Sequence, residues 1–264
     1  MRGFVAVDPV DKLIVISFRG STSIRNWIAK WVARLPFHSH AKLTQAPSTS
    51  LLFTQVPCDL TPGCLAHTGF YASWGEVSSR VLAAVRAAAA ANPAFTVVVT
   101  GHSLGGAVAT LATAYLRKAG YAADLYTYGS PRVGNNALVA FVTDQPGGEY
   151  RVTHTDDPVP RLPPIALNYR HTGPEYWIDE GSDAVVSLSE VQYCAGYANV
   201  QCNGGTKGLD VDAHLWYFQG LTGCSSGISV KRTGLSDEEL AATLNAYVDL
   251  DVQLAANLHA SGQS

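Results

Sequence analysis

A serine set between a strand-like and a helix-like segment constrains the fold of this chain more than any other feature. Residues 97–100 (VVVT) suit a strand buried on both faces, and residues 107–112 (AVATLA) suit a helix. Between them, Gly101, Ser103 and Gly105 form a G-x-S-x-G pattern, in which a strained turn lifts a serine hydroxyl above a sheet. Glycine suits both flanking positions because neighbouring backbone crowds such a turn. The alternative interpretation is a glycine-rich turn with a solvent-exposed serine.

The other predicted elements indicate an α/β fold. Strand patterns occur at residues 4–7, 13–18, 125–128, 150–154 and 176–178, and helical patterns at residues 67–91, 104–118 and 135–143. Strands that alternate with helices favour a sheet that is parallel in its middle. We therefore predict a central, mostly parallel sheet flanked by helices.

Composition narrows the class of protein. The chain has 264 residues, of which 47% are hydrophobic and 15% charged, enough for one domain with a large core. Its net charge of −3 and the lack of a basic stripe argue against a nucleic-acid partner. The longest apolar stretch, residues 81–99, is interrupted by Arg86, Asn92 and Pro93, so no transmembrane segment is predicted.

Five cysteines allow two interpretations. They are Cys58, Cys64, Cys194, Cys202 and Cys224. The first two and the next two are near neighbours in loop-like sequence, which allows two short disulfide loops and one unpaired cysteine in an oxidising compartment. The alternative is five free thiols. Zinc-type ligand spacing is absent from the sequence, so no metal site is predicted.

A serine hydroxyl is a poor nucleophile unless an imidazole, oriented by a carboxylate, takes its proton. In enzymes with a serine turn on such a sheet, the acid lies after the serine along the chain, and the histidine lies after the acid. Asp156 and Asp157 lie in a proline-fixed loop after a predicted strand. Among later histidines, His171 is too close to that loop and His259 is near the chain end, so position favours His214. The residues alone leave the choice of aspartate open.

Five segments, taken together, resemble one family. They are residues 18–27 (FRGSTSIRNW), 100–107 (TGHSLGGA), 128–134 (YGSPRVG), 150–163 (YRVTHTDDPVPRLP) and 213–218 (AHLWYF). The chain resembles the filamentous-fungal lipases of the lipase class 3 family, which are secreted triacylglycerol lipases related to feruloyl esterases and mono/diacylglycerol lipases. The resemblance covers residues 3–224 and implies an α/β-hydrolase fold with a short helical lid.

The resemblance implies a role for each site residue. Ser103 corresponds to the nucleophile, His214 to the general base and Asp157 to the acid that orients it. Asp156 corresponds to a neighbouring position that the family often fills with Asn. His154 resembles a structural histidine at a strand end. The implied chemistry needs no metal or organic cofactor.

Two oxyanion-hole donors are predicted. One is the backbone N–H of Leu104, which follows the serine at a helix N-terminus. The other comes from the turn after an early strand, where Gly20 and Ser21 lie. The resemblance assigns the second donor to Ser21.

An apolar stripe at helical spacing follows that turn; it comprises Ile24, Trp27, Ile28, Trp31, Val32 and Leu35. The ordinary interpretation is a helix packed on the core. The resemblance instead implies a lid over about residues 22–35, with Ile24, Trp27, Ile28 and Trp31 facing the substrate groove. Burying each such side chain stabilises by roughly 1.5–3 kcal/mol, so lid opening favours a lipid–water interface. We therefore predict an acylglycerol substrate at that interface.

The sequence allows two other functions besides that of a lipase. A feruloyl-type or other carboxylesterase has the same fold, but its lid is more polar than this stripe. A lipid-surface-binding protein without turnover, or a truncated inactive paralogue, is the alternative outside enzymes. Preference among triacylglycerol, mono/diacylglycerol and phospholipid is not readable from the residues.

The ends of the chain depart from the family pattern. Family members carry a signal peptide, a propeptide and a leading helix before the strand that begins here at Gly3. Truncation or a mis-assigned start codon explains the difference equally well. The resemblance implies that Cys224 lacks its partner, that Cys58 pairs with Cys64 and Cys194 with Cys202, and that the protein is extracellular. A monomer is expected.

The domain prediction has two parts. Residues 1–224 form the hydrolase domain, and residues 225–264 form a C-terminal extension. Ser236 and Glu239 predict a capping box that begins an amphipathic helix in this extension, and that helix would cover surface left bare by the missing leader.

Overall fold

The computed structural model describes residues 1–21, 53–181, 185–221 and 236–261. Within these ranges, seven strands form one sheet: β1 (Gly3–Asp8), β2 (Leu13–Phe18), β5 (Thr96–His102), β6 (Asp124–Tyr128), β7 (Glu149–His154), β8 (Glu175–Ile178) and β9 (Val191–Cys194). Their order across the sheet is β1-β2-β5-β6-β7-β8-β9. Two short hairpins pair β3 (Gln55–Pro57) with β4 (Leu65–His67), and β10 (Trp216–Tyr217) with β11 (Gln219–Gly220).

The middle of the sheet is parallel. Strands β2, β5, β6, β7 and β8 run in one direction, whereas β1 and β9 pair antiparallel at the two sides. Parallel strands bring their carboxyl ends to one edge of a sheet, where open α/β sheets place their sites. The segments after β2, β5 and β7 therefore meet at this edge. The predicted α/β class is confirmed.

Five α-helices are described: α1 (Thr68–Gly75), α2 (Ser78–Ala91), α3 (Leu104–Lys118), α4 (Asn136–Thr143) and α5 (Asp237–Ala260). Helix α3 is the most deeply buried, and its small residues let it pack closely on the sheet. The single helix predicted over residues 67–91 is wrong, because the chain forms two helices there. Gly75, a poor helix former, ends α1, and Val77 is buried at the break.

The C-terminal helix packs on the same core as the sheet. Ser236 Oγ accepts from the Glu239 N–H at 3.2 Å and Glu239 Oε2 accepts from the Ser236 N–H at 2.8 Å, as the capping box predicted. Leu240, Leu244 and Tyr247 of α5 belong to the buried cluster that also contains β2 and α3 side chains. Helix α5 and the sheet thus share one hydrophobic core.

Both predicted disulfides are present. Cys58–Cys64 closes the turn between β3 and β4, and Cys194–Cys202 joins the end of β9 to the following loop. Cys224 lies outside the described residues. Among the described helices, none combines the length and the apolar character needed to cross a membrane.

Candidate active site

Ser103 occupies a strained turn between β5 and α3. Its φ of 57° and ψ of −129° are uncommon for a residue other than glycine, and such strain concentrates at functional sites. The Ser103 N–H donates to the Tyr128 carbonyl at 2.9 Å, which ties the turn to β6. A Cβ added to Gly101 would lie 2.3 Å from the Gly105 carbonyl carbon. Backbone crowding therefore explains the glycines of the sequence pattern.

The turn after β2 lies against Ser103. A Cβ on Gly20 would lie 2.7 Å from the His102 carbonyl oxygen and 3.3 Å from Ser103 Cβ. Ser21 is the next residue along this turn, and Leu104 begins α3 on the other side of the serine. Backbone N–H groups at a helix N-terminus favour negative charge. Of the two predicted oxyanion donors, Ser21 directly follows Gly20, which contacts the Ser103 turn, and Leu104 directly follows Ser103 itself.

His214 and Asp157 form a buried hydrogen-bonded pair. His214 Nδ1 lies 2.8 Å from Asp157 Oδ2, and both side chains are fully buried. The Tyr217 hydroxyl donates to the same carboxylate oxygen at 2.5 Å, and the Val159 N–H donates to Oδ1 at 2.8 Å. His214 Nε2 has no hydrogen-bond partner among the described residues. One ring nitrogen is therefore held by a carboxylate while the other stays available.

The surroundings keep Asp157 ionised. Burial alone raises the pKa of its carboxyl, but His214 and the Tyr217 and Val159 donors outweigh burial and hold the pKa below its usual value. An imidazole held at Nδ1 by a carboxylate can accept a proton at Nε2 from an alcohol.

Asp156 points elsewhere. Its Oδ2 would lie 2.7 Å from a Cβ on Gly208, and burial raises the pKa of its carboxyl. Arg161 Nη2 donates to the Asp156 backbone carbonyl at 2.9 Å. The structure therefore pairs His214 with Asp157, the aspartate to which the resemblance pointed.

The segment predicted to form a lid, about residues 22–35, lies outside the part of the chain that the structure describes. Ile24, Trp27, Ile28 and Trp31 lie outside the described residues. Across the described ranges, no group of three or more His, Cys, Asp or Glu side chains is arranged to hold a metal ion.

Comparison with known proteins decides the family. The sequence model described as Lipase (class 3) matches residues 15–167. The chain is 53% identical over 249 residues to secreted mono- and diacylglycerol lipase 1 of Fusarium solani, a match that covers 94% of this chain and 69% of the relative. It is 42% identical over 236 residues to secreted mono- and diacylglycerol lipase A of Penicillium camembertii, covering 87% and 70%. The chain belongs to the class 3 lipase family.

A solved structure agrees with this assignment. The mono- and diacylglycerol lipase from Aspergillus oryzae superposes with a TM-score of 0.72 at 39% identity, covering 84% of this chain and 77% of that protein. This lipase is therefore a carboxylic ester hydrolase on an α/β-hydrolase fold.

Two histidines, His102 and His154, hold the His214 segment of the lipase in place. His102 Nε2 lies 2.8 Å from the His214 carbonyl, and burial lowers the pKa of His102 to about 3, so the ring is neutral and Nε2–H is the donor. The His154 ring lies between the Ala213 carbonyl at 2.9 Å and the Glu180 carbonyl at 2.7 Å. His154 thus joins the end of β7 to the backbone beside His214, as expected of a structural strand-end histidine.

Sequence reasoning assigned no role to three residues of this site. Tyr217 and Gly129 lie in two of the segments that carried the family resemblance, so a signal was present for them. A Cβ on Gly129, whose φ is +54°, would come within 2.9 Å of Asp157 Oδ2, the Tyr217 hydroxyl and His214 Nδ1. Asn203 Nδ2 donates to the Asp157 carbonyl at 3.0 Å from a distant loop, and no local pattern marks it.

Replacing Tyr217 with Phe tests the electrostatics of the pair. The variant loses a hydrogen bond to a buried charge, so we expect the free energy of unfolding at neutral pH to fall by about 1.5–3 kcal/mol. The pKa of Asp157 is lower in the folded protein than the unfolded-state pKa of about 3.9. The ionised carboxylate therefore makes its full contribution to the free energy of unfolding above the unfolded-state pKa, and this contribution is lost as the pH falls through the folded-state pKa. The difference between Tyr217→Phe and wild type should therefore shrink in acid.

Urea unfolding of both proteins, at neutral pH and at a pH below the folded-state pKa of Asp157, measures that difference. An equal difference at both pH values would show that the Tyr217 hydroxyl does not act through the Asp157 charge.

Proposed function

We propose that this lipase hydrolyses acylglycerol ester bonds through an acyl-enzyme formed on Ser103. The observation that carries the proposal is the buried hydrogen bond between His214 Nδ1 and Asp157 Oδ2, with Nε2 left unpartnered among the described residues. The centre of the His214 ring lies 4.4 Å from that of His102, the residue before Ser103. No hydrogen bond joins Ser103 Oγ to His214 Nε2 in the structure. Catalytic hydrogen bonds are often long in the absence of substrate, and we expect this one to form when an ester binds.

Acylation begins when Ser103 Oγ attacks the ester carbonyl carbon and His214 Nε2 takes the hydroxyl proton. The carbonyl oxygen becomes an oxyanion that the Leu104 N–H and Ser21 hold. Asp157 stabilises the imidazolium that forms. The tetrahedral intermediate collapses when His214 returns the proton to the departing glycerol oxygen, which leaves the acyl group on Ser103.

Deacylation repeats these steps with water. His214 removes a proton from the water as its oxygen attacks the acyl carbon. The same oxyanion donors act again, and the proton then passes to Ser103 Oγ as the fatty acid leaves. The ester and water supply all the atoms of the products, while Ser103 carries the acyl group and His214 carries the proton.

The names of the relatives support a substrate class. Proteins similar over most of this chain are named secreted mono- and diacylglycerol lipases. We therefore propose partial glycerides as the preferred substrates and an extracellular enzyme.

Rates on monoacyl-, diacyl- and triacylglycerol, a phospholipid and methyl ferulate test this proposal. Diacyl- and monoacylglycerol should be hydrolysed fastest. A preference for methyl ferulate would favour the feruloyl-type alternative, and folded protein inactive on all five would favour a non-catalytic lipid-binding role.

Interfacial opening of the lid is the second part of the proposal, and it rests on the apolar stripe that follows Ser21. Replacing Trp27 and Trp31 with Ser should lower the rate on emulsified diacylglycerol by at least about tenfold, since each ring contributes roughly 1.5–3 kcal/mol when it is buried at the interface. The rate on a soluble short-chain ester should change far less. Measuring both substrates with the same preparation checks this expectation.

Tyr193→Ser is a matched control for the double variant, because it also removes an exposed aromatic side chain, on β9. It should leave both rates unchanged. Equal losses on emulsified and soluble esters in the Trp27 and Trp31 variant would contradict an interfacial lid.

A further inference from the structure

Helix α5 carries a buried carboxylate among otherwise mostly apolar buried residues. Asp251 is 2% exposed, and its Oδ2 accepts from Arg132 Nη1 at 3.0 Å and from the Ile165 N–H at 2.8 Å. Its Oδ1 accepts from the Ala166 N–H at 2.9 Å. A buried charge is costly unless it is paired and hydrogen-bonded, and Asp251 is both. Apolar burial alone would not require a carboxylate at this position.

Arg132 extends this contact toward the segment that follows Asp157. Its Nη1 also donates to the Arg161 carbonyl at 2.7 Å and to the Pro163 carbonyl at 2.9 Å. The Arg132 N–H donates to the Leu162 carbonyl at 2.8 Å. In this segment, Arg132 therefore binds the backbone carbonyls of residues 161–163, and Asp251 binds the backbone N–H groups of residues 165 and 166.

A second contact from α5 reaches the segment before His214 and, through it, the loop that carries Asp157. Asn245 Oδ1 accepts from the Gly208 N–H at 2.9 Å. The Gly208 carbonyl accepts from Arg161 Nη2 at 2.7 Å, and that nitrogen also donates to the Asp156 carbonyl at 2.9 Å. A continuous chain of hydrogen bonds therefore joins α5 to the residue immediately before Asp157.

We propose that α5 braces the loop that carries Asp157, and that Asp251 and Asn245 are positioning residues for the acid of the proposed function. Both contacts act on loop backbone rather than on Asp157 or His214. The brace comes from outside residues 15–167, the part of the chain that matches the family model. Displacing a catalytic group by about 1 Å can cost about 100-fold in rate.

Three substitutions on α5 separate positioning from simple packing. Asp251→Asn removes the charge that pairs with Arg132, and Asn245→Ala removes the acceptor for Gly208. Leu244→Ala is the matched control, because Leu244 is 2% exposed and belongs to the apolar core. All three lower the melting temperature, but only the first two loosen the loop.

The kinetics are measured on a soluble short-chain ester, well below the lowest melting temperature, with active sites titrated by an organophosphonate. We expect kcat per active site to fall about 10- to 100-fold in Asp251→Asn and severalfold in Asn245→Ala, with KM nearly unchanged. Leu244→Ala should keep the wild-type kcat per site. Asn245→Asp retains a side-chain acceptor and should recover the wild-type value.

A spectroscopic signature accompanies the kinetics. The His214 Nδ1–H proton, bonded to Asp157, should give a downfield NMR resonance that shifts or broadens in Asp251→Asn and Asn245→Ala but not in Leu244→Ala. Matching kcat and resonance in all three folded variants would overturn the brace. If Asp251→Asn does not fold, the Asn245→Ala and Asn245→Asp pair decides. A wild-type protein inactive on every ester would overturn the proposed function instead, and the resonance alone would then test the brace.

Discussion

Ser103→Ala should lower kcat for ester hydrolysis by about 10⁶-fold, because loss of the nucleophile in a serine hydrolase removes the covalent route altogether. The small residual rate would come from the oxyanion donors and from binding. Alanine removes only the hydroxyl from a side chain that is 1% exposed, so the fold should be unchanged. Titration of fatty acid released from emulsified diacylglycerol measures the loss.

Ser79→Ala, on α2, is the matched control and should keep full activity. Adsorption of Ser103→Ala to the emulsion should equal that of wild type, since the substitution leaves the predicted lid intact. Substantial hydrolysis by pure, folded Ser103→Ala would mean that the acyl group is carried elsewhere or that water attacks directly.

Asp157→Asn should lower kcat by about 10⁴-fold, the size of effect seen when the triad acid of a serine protease becomes an amide. The variant offers an amide rather than a carboxylate to His214 Nδ1, so the ring loses both its preferred tautomer and its stabilised imidazolium. The neighbouring substitution, Asp156→Asn, should change kcat by less than about tenfold, because the Asp156 side chain faces Gly208 rather than His214.

The two aspartate variants control for each other, since both neutralise one carboxylate in the same loop. Kinetics on a soluble short-chain ester, with active sites titrated, compare them without any effect of the lid. Equal losses in both variants, or a larger loss in Asp156→Asn, would show that the paired geometry is not the working one.

Much of the fold was predictable from local pattern. The strand–serine–helix segment, the strand pairs and the capping box of α5 depend on residues close together in the chain, whose backbone preferences act locally. The prediction of a single helix over residues 67–91 was wrong because its alanine-rich composition favours one continuous helix. Burial of Trp74 and Val77 favours a break between two helices instead. That burial depends on neighbours from other elements, which no local window contains.

The candidate site was predictable only in part. Ser103 has its own local pattern, whereas the resemblance was needed to prefer Asp157 over Asp156. Asn203 and Asp251 act on the acid loop from distant segments, and nothing near them in sequence distinguishes their contacts from those of surface polar residues. For Asp251 in particular, the apolar residues of α5 were enough to predict which face of the helix packs on the core, so they gave no reason to expect a carboxylate with a role there.

Residue types and their spacing along the chain were enough to predict the α/β class, the serine turn and the order of the three predicted catalytic residues. The folded chain was needed to show which carboxylate meets His214, that Tyr217 shares that carboxylate, and that α5 contacts the loop that carries Asp157. Hydrogen bonds between segments tens of residues apart depend on where the parallel strands end in space, and side-chain geometry at that edge exists only once the sheet has formed.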